Sequence, residues 1–147
     1  MRVGQGLLLK LDYADGAKAN KKRTFLIIDI GFKNITLLNV SSVKGKTHKL
    51  LYPSNFKINK YNPPFVKSSF VKLDAEYIIE KDEELDHFIV NNGRAIHPEE
   101  LKTIRENFRS YSNNNKVNRL FCRADAVTAL NRVPAEILVA SDDKCKK

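Results

Sequence analysis

The chain has 147 residues, of which 42% are hydrophobic and 29% charged, a composition typical of one folded domain and incompatible with wholesale disorder. No apolar run approaches the ~18 residues of a membrane-spanning helix, and the leucines after Gly6 are too few for a signal peptide, so we expect a single cytoplasmic domain over residues 1–147 with Cys122 and Cys145 as free thiols. The net charge is +9, and residues 1–67 hold 13 basic but only 3 acidic side chains, which favours a polyanionic partner.

The first part of the chain has the pattern of three β-strands. Residues 7–13 alternate between apolar and polar side chains, as a strand with one buried face does. Apolar runs over residues 25–28 and 35–41 are separated by a tight connection at Gly31, which predicts an antiparallel hairpin. The polar residues 14–22, between the first two strands, are predicted to form a basic loop.

The middle of the chain is predicted to hold shorter elements. Pro53 and Asn62-Pro63-Pro64 exclude a long regular element before Ser69, although residues 48–52 fit a short strand. Residues 69–80 alternate throughout and are predicted to form one strand. Residues 86–90 are predicted to form another short strand, in which His87 is a polar strand residue.

Two helices are predicted at the C-terminal end. Pro98 suits the first helical position, and the two glutamates that follow complement the positive end of the helix dipole. Its apolar stripe consists of Leu101, Ile104, Phe108 and Tyr111, and Asn113–Asn115 ends it. A second helix is predicted over residues 120–130 before the break at Pro134, and residues 135–139 add a turn or strand. Five or six short strands followed by one or two helices predict a mainly β fold with α, a small barrel covered by terminal helices.

Motifs of metal- and nucleotide-dependent enzymes are absent from the sequence. It contains no phosphate-binding glycine loop, no HExxH and no paired CxxC, and no GxSxG surrounds a serine. The three histidines (His48, His87 and His97) lie far apart, and His97 is expected to precede the first helix. We therefore expect no metal and no cofactor, which leaves a site that handles a phosphodiester with Arg, Lys, Asp and Ser or Thr side chains.

Four segments, in their order and spacing, resemble the MazF/PemK (Kid) family of toxin endoribonucleases from type II toxin–antitoxin systems. Residues 4–11 (GQGLLLKL) resemble the family's opening Gly-Asp/Glu strand, and residues 23–28 (RTFLII) resemble an Arg-Pro pair followed by an apolar strand. Residues 35–42 (ITLLNVSS) are similar to a strand that ends in Thr-Ser. Residues 69–80 (SFVKLDAEYIIE) are similar to the strand that carries Arg-x-Asp-Gln.

The resemblance covers residues 1–111, a barrel plus its helix, and leaves residues 112–147 as a C-terminal helical extension. The chain departs from the family pattern at several places. The loop before Arg23 lacks the family's Gly-x-Glu-Gln-Gly signature. Thr24 replaces a proline, Ala75 a glutamine and Tyr77 a later arginine.

The resemblance implies an SH3-like, PemK-like barrel that cleaves single-stranded RNA without a metal, acts as a homodimer and is countered by an antitoxin protein. In such a reaction the RNA 2′-hydroxyl attacks the adjacent phosphate, leaving a 2′,3′-cyclic phosphate and a 5′-hydroxyl. Arg23 would bind the phosphate and Ser41 a non-bridging oxygen. Asp74 would accept the 2′ proton, and Lys72 would stabilise charge or return the proton. Lys72 and Asp74, two apart on a strand, are predicted to share one face.

Basic side chains on two loops are predicted to contact the RNA backbone: Lys18, Lys21, Lys22, Lys44, Lys46 and Lys49. His48 is a spare base, because its unshifted pKa of ~6.5 suits proton transfer. Four aromatic residues lie among lysines: Tyr52, Phe56, Tyr61 and Phe65. They either stack RNA bases or attach a long loop to the barrel.

Other functions fit the same residues. The missing Glu-Gln loop motif and Ala75 favour a basic barrel that binds nucleic acid without cutting it, and a gyrase-poison-like toxin with a protein target is a third alternative. Each site residue also has an ordinary explanation: Arg23 as a surface cation, Ser41 as a turn serine, and Lys72 with Asp74 as an exposed ion pair worth about 0–1 kcal/mol. The apolar side chains of residues 120–130 are predicted to cover the barrel rather than a dimer seam.

Overall fold

The computed structural model describes residues 1–58, 64–65 and 67–131, and its main feature is one seven-stranded, mostly antiparallel sheet. The strands are β1 (Gly6–Leu9), β2 (Arg23–Ile30), β3 (Asn34–Ser42), β4 (Asn55–Lys57), β5 (Ser69–Lys72), β6 (Ala75–Glu80) and β7 (Asn118–Cys122). The α-helices are α1 (Pro98–Asn114) and α2 (Ala124–Asn131), and short 3-10 helices span Thr47–Leu51, Glu83–Phe88 and Asn91–Gly93. A mainly β fold with α is therefore confirmed, and no helix in the described part is long and apolar enough to cross a membrane.

β3 is the central strand, because β2, β5 and β6 all pair with it. The strands follow an open path in the order β1-β2-β3-β5-β4, with β6 also on β3 and β7 on β6. β6 pairs with the beginning of β3, from Asn34 to Leu37, and β5 pairs with its end, from Val40 to Ser42. β6 and β5 therefore lie end to end along the same edge of β3.

The sheet is buried on both faces. Alternate side chains of a strand point to opposite faces, and each face has its own apolar core. The first core contains Leu7, Leu9, Leu11, Phe25, Ile27, Ile35, Leu37, Tyr77, Ile79, Leu85 and Val127. The second contains Leu26, Ile28, Leu38, Val40, Ile58, Phe65, Val71, Leu73, Ile96, Leu101 and Ile104. We call the corresponding sides of the sheet the first face and the second face.

The predicted hairpin of β2 and β3 is confirmed, and the Gly31 amide donates to the Asn34 carbonyl to close its turn. The first strand is shorter than predicted. It ends at Leu9, because the backbone N–H and C=O of Lys10 bond the side-chain amide of Asn131 instead of a neighbouring strand.

The single strand predicted over residues 69–80 is wrong, since two strands occupy this range. β5 ends at Lys72 and β6 begins at Ala75, with Leu73 and Asp74 between them. The Leu73 amide donates to the Ser54 carbonyl. Lys72 and Asp74 therefore do not lie on one strand, and period-two alternation does not relate their side chains.

Two predicted short strands are 3-10 helices instead. Residues 48–52 fall almost wholly in the helix at Thr47–Leu51. Residues 86–88, with His87, belong to the helix Glu83–Phe88, which begins where the Asp82 carboxylate accepts from the Glu84 amide. Local side-chain capping of this kind competes successfully with strand pairing.

Helix α1 begins and ends as predicted. The His97 Nδ1 accepts from the Glu99 amide at 3.2 Å and caps the first turn. Leu101 and Ile104 are buried in the second core, and Phe108 and Tyr111 pack against it half-buried. The helix thus covers the second face of the sheet.

The second predicted helix, over residues 120–130, is wrong in its first part. Asn118–Cys122 forms β7, parallel to β6, and α2 begins only at Ala124, whose amide donates to Glu80. Pairing with β6 accounts for the difference, because it satisfies backbone groups that a helix would otherwise satisfy. Val127 packs into the first core and Leu120 against it, whereas Phe121 and Leu130, from the same predicted apolar face, are exposed. The expectations for residues 132–147 lie outside the described residues.

Candidate functional site

The first face of β3 changes from apolar to polar along the strand. Ile35 and Leu37 are fully buried in the first core, and the next two positions on that face are Asn39 and Ser41. A cleft of about 210 Å³ lies at this polar end. Its charged and hydroxyl-bearing lining residues are Tyr13, Asp15, Arg23, Lys72, Asp74 and Tyr77.

Arg23 begins β2 and holds a fixed orientation beside the cleft. Its Nη2 donates to the Leu11 carbonyl at 2.9 Å, and its Nη1 donates to the Tyr77 hydroxyl at 3.2 Å. The guanidinium carbon lies 3.9 Å from the centre of the Tyr13 ring, a cation–π contact. The Nε atom is buried and makes no hydrogen bond in the described structure. Arg23 is therefore not a mobile surface cation.

Lys72 is a half-buried cation whose positive charge is only partly balanced by a nearby negative charge, that of Asp74. Burial lowers the pKa of its ammonium, and the nearby charges of Lys49, Lys46 and Arg23 lower it further, while Asp74 partly opposes them. Within the described ranges its ammonium makes no hydrogen bond and no ion pair within 4.0 Å. A desolvated, unpaired ammonium beside a cleft is typical of a group that meets an anionic ligand.

Asp74 lies in the bend between β5 and β6, and its side chain is exposed. Its carboxylate has no hydrogen-bond or ion-pair partner among the residues that the structure describes, so the expected ion pair with Lys72 does not form. Asp15, the other acid of the cleft, instead accepts from the Ala17 amide at 3.0 Å. Asp74 is thus the carboxylate of this cleft that is available to a ligand.

Ser41 does not line the same cleft. It borders a neighbouring cleft of about 340 Å³, together with Thr24, Ser42 and Lys67. Its hydroxyl accepts from the Lys46 ammonium at 3.3 Å, and the charge of Lys46 also lowers the pKa of Lys72. Lys46 therefore links Ser41 electrostatically to the cleft that holds Arg23.

The predicted RNA-binding lysines divide into three groups. Lys46 and Lys49 lie near enough to Lys72 for their charges to lower its pKa. Lys18 instead pairs with Asp12 at 3.7 Å and borders a groove beside α2. Lys21, Lys22 and Lys44 are exposed. The exposed ring of His48 meets the Tyr52 ring edge-on at 6.5 Å.

The aromatic residues between β3 and β5 also differ from one another. Phe65 is buried in the second core, and Phe56 packs against it. Tyr52 is 50% exposed and accessible to a stacking base. Tyr61 lies outside the described residues. Phe56 and Phe65 therefore attach the loop to the sheet, and Tyr52 is the exposed aromatic of this group among the described residues.

Several residues of the cleft were not predicted as site residues, Tyr13 and Asp15 among them, and two others, Asn39 and Tyr77, are deeply buried. Asn39 is 4% exposed, and its Nδ2 donates to the Thr24 carbonyl at 2.9 Å. Tyr77 is 2% exposed and touches Arg23. The sequence does indicate a role for Asn39, because an asparagine at an inward position of an apolar strand indicates a buried amide. In the sequence alone, Tyr77 has the pattern of an ordinary buried aromatic, because the partners of its hydroxyl come from segments far away in the chain.

A larger groove of about 750 Å³ lies along α1 at the edge of its contact with the second face of the sheet. Two of its acidic residues are ion-paired, Asp29 to Arg105 at 3.3 Å and Glu76 to Arg119 at 2.6 Å. No cluster of three His, Cys, Asp or Glu side chains in the described part could hold a metal ion.

The chain matches no protein-family model, and a comparison with curated proteins gives no significant match. Its function is therefore inferred from the chemistry of the cleft.

Proposed function

We propose that this protein is a metal-independent endoribonuclease that cleaves single-stranded RNA, built on an SH3-like barrel of the MazF/PemK toxin type. The observation that carries the proposal is that Arg23, on β2, lines one small cleft together with Lys72 and Asp74, which lie far from it in the chain. The ordered resemblance of four segments to that family supports the same assignment.

The electrostatics of the cleft favour a phosphodiester. Arg23 and Lys72 line it, and Lys46 and Lys49 add positive charge near Lys72. Drug-sized ligands occupy ~300–1,000 Å³, so a cleft of about 210 Å³ fits a single phosphodiester group better than a whole small-molecule ligand. A polyanion offers that group together with further phosphates for the surrounding lysines.

Each side chain has a role in the proposed reaction. The exposed carboxylate of Asp74 accepts the proton of the RNA 2′-hydroxyl, which attacks the phosphorus atom. Arg23 stabilises the negative charge of the phosphorane. Lys72 gives a proton to the departing 5′-oxygen, and its lowered pKa makes the ammonium a better acid. The products are a 2′,3′-cyclic phosphate and a 5′-hydroxyl.

The same proposal names the partners. They are single-stranded RNA, a second copy of the chain and an antitoxin protein that neutralises the activity in the cytoplasm. The resemblance supports these partners, and Ser41 bound to Lys46 would contact a phosphate beside the scissile one.

Substitution of Asp74 is the sharpest test, because its side chain is exposed and unpartnered among the described residues. We expect the wild type to cut a long unstructured RNA in EDTA, and Asp74→Asn to cut it roughly 10²-fold more slowly, as loss of a general base does. The melting temperature should be unchanged. The reaction is followed by the appearance of 2′,3′-cyclic phosphate ends.

Asp29→Asn is the matched control, since Asp29 is an exposed acid on the second face that pairs with Arg105. It should cleave like the wild type. Intact RNA with the wild type, or equal rates for Asp74→Asn and the wild type, would contradict the proposal.

One observation favours a second function, RNA binding without cleavage. The Arg23 guanidinium already bonds Leu11 and Tyr77, as a purely structural arginine does. Tight binding of single-stranded RNA with no cyclic phosphate ends would identify this alternative.

A further inference from the structure

The hydroxyl of Tyr77 is a buried polar group at the cleft that the proposed reaction does not yet use. Tyr77 lies on β6 on the first face, is 2% exposed and lines the cleft. Its ring packs edge-on against Phe25, with ring centres 5.1 Å apart. The hydroxyl therefore has a fixed position, set by the core of the protein.

Two donors already point at the hydroxyl oxygen. The Arg23 Nη1 donates to it at 3.2 Å, and the Ala14 amide donates to it at 3.4 Å. A phenol also has one proton to donate, and among the described residues no acceptor receives it. Buried polar groups normally have hydrogen-bond partners. An acceptor bound in the cleft, which Tyr77 lines together with Lys72 and Asp74, would complete the hydrogen bonding of this hydroxyl.

We propose that Tyr77 is a further catalytic residue, whose hydroxyl donates a hydrogen bond to a non-bridging oxygen of the scissile phosphate beside Arg23. This inference rests on the proposed endoribonuclease function. The tyrosine keeps its proton throughout, and no bond to it forms or breaks. As the 2′-oxygen attacks, negative charge grows on the non-bridging oxygen, so the hydrogen bond strengthens in the transition state.

The contact with Arg23 makes the hydroxyl a better donor. A cationic N–H bonded to the phenol oxygen polarises its O–H bond, as happens in chains of hydrogen bonds. Arg23 therefore acts on the phosphate both through its own charge and through Tyr77.

The first test is Tyr77→Phe, which removes the hydroxyl and keeps the ring packed against Phe25. We expect kcat for a short RNA to fall roughly 10²-fold, as for loss of one oxyanion donor, with KM nearly unchanged. Tyr111→Phe, on α1 at the second face, is the matched control and should cleave like the wild type.

The second measurement separates a catalytic from a structural role. Replacing a non-bridging oxygen of the scissile phosphate by sulfur weakens its hydrogen bonds, so one phosphorothioate isomer should slow the wild type. The same isomer should slow Tyr77→Phe much less, because the bond is already absent. The ratio of the two rates is measured within one variant and does not depend on the folded fraction.

The outcomes distinguish this inference from the proposed function. A wild type that leaves RNA intact overturns both. A wild type that cleaves, together with a Tyr77→Phe variant of equal kcat or with an undiminished sulfur effect, overturns only the role of Tyr77.

Discussion

The cleft at Arg23 and the groove under α1 differ in size and in the state of their charges. The groove is the larger, at about 750 Å³ against 210 Å³. Its acids Asp29 and Glu76 are paired with arginines. In the small cleft, Lys72 and Asp74 have no such partner among the described residues.

This contrast is the reason for placing the proposed reaction in the smaller cleft. Ion pairs satisfy two acids of the groove, Asp29 and Glu76, and such surface pairs contribute little to stability. Charged groups that stay unpaired next to a cleft give up favourable interactions unless a ligand supplies them. Changes in the cleft should therefore affect activity, and changes in the groove should not.

Arg23→Ala should have the largest effect of the changes to the cleft. Cleavage should fall by roughly 10²-fold or more as the phosphate loses its cationic partner. Stability should also fall, by about 2 kcal/mol, because the bonds to the Leu11 carbonyl and Tyr77 disappear. RNA cleavage and urea unfolding measure the two effects. The control is Arg94→Ala, at an exposed arginine, which should change neither quantity. An Arg23→Ala variant that cleaves RNA as fast as the wild type would contradict the assignment of the reaction to the cleft.

Lys72→Met should separate activity from stability. Cleavage should fall, again by roughly 10²-fold, as a proton donor is lost. Because burial and neighbouring cations lower the pKa of Lys72 below its ordinary 10.5, the folded protein binds its proton less tightly than the unfolded chain does. The charged form is thus unfavourable to folding at neutral pH, and this effect disappears as the pH rises from the folded-state pKa to 10.5.

We therefore expect Lys72→Met to melt at a higher temperature than the wild type at pH 7, with a gain that shrinks as the pH approaches 10.5. Thermal unfolding across this range measures it. Lys57→Met, at an exposed lysine of β4, is the matched control and should leave the melting temperature at pH 7 unchanged. A lower melting temperature for Lys72→Met at pH 7 would show that the ammonium is stabilised in the folded protein.

Disruption of the groove should have the smallest effect. Asp29→Ala breaks the pair with Arg105, both of whose side chains are substantially exposed. We expect a loss of about 0–1 kcal/mol in the free energy of unfolding and no change in the rate of RNA cleavage. If this variant kept its fold but lost RNA cleavage, the result would indicate that the groove, and not the cleft, is the site of the reaction.

Much of the fold was predictable from local patterns. The hairpin of β2 and β3 follows from two apolar runs around Gly31, and α1 follows from Pro98 and its apolar stripe. The predictions failed where a distant segment competes for backbone hydrogen bonds. The side chain of Asn131 bonds the backbone of Lys10 and so ends β1, and residues 118–122 form a parallel strand because they pair with β6. The local pattern of apolar and polar residues contains no information about these distant hydrogen-bond partners.

The candidate site divides in the same way. Residue types and the ordered resemblance of four segments are enough to name Arg23, Lys72 and Asp74 as candidates for phosphodiester chemistry, although the single strand predicted for Lys72 and Asp74 is wrong. Only the folded chain shows that these three share a cleft, that Ser41 borders another, and that Tyr77 presents a hydroxyl beside Arg23. The physical reason is that alternation decides which face a side chain occupies, whereas its neighbours are set by pairing and packing between segments far apart in the chain.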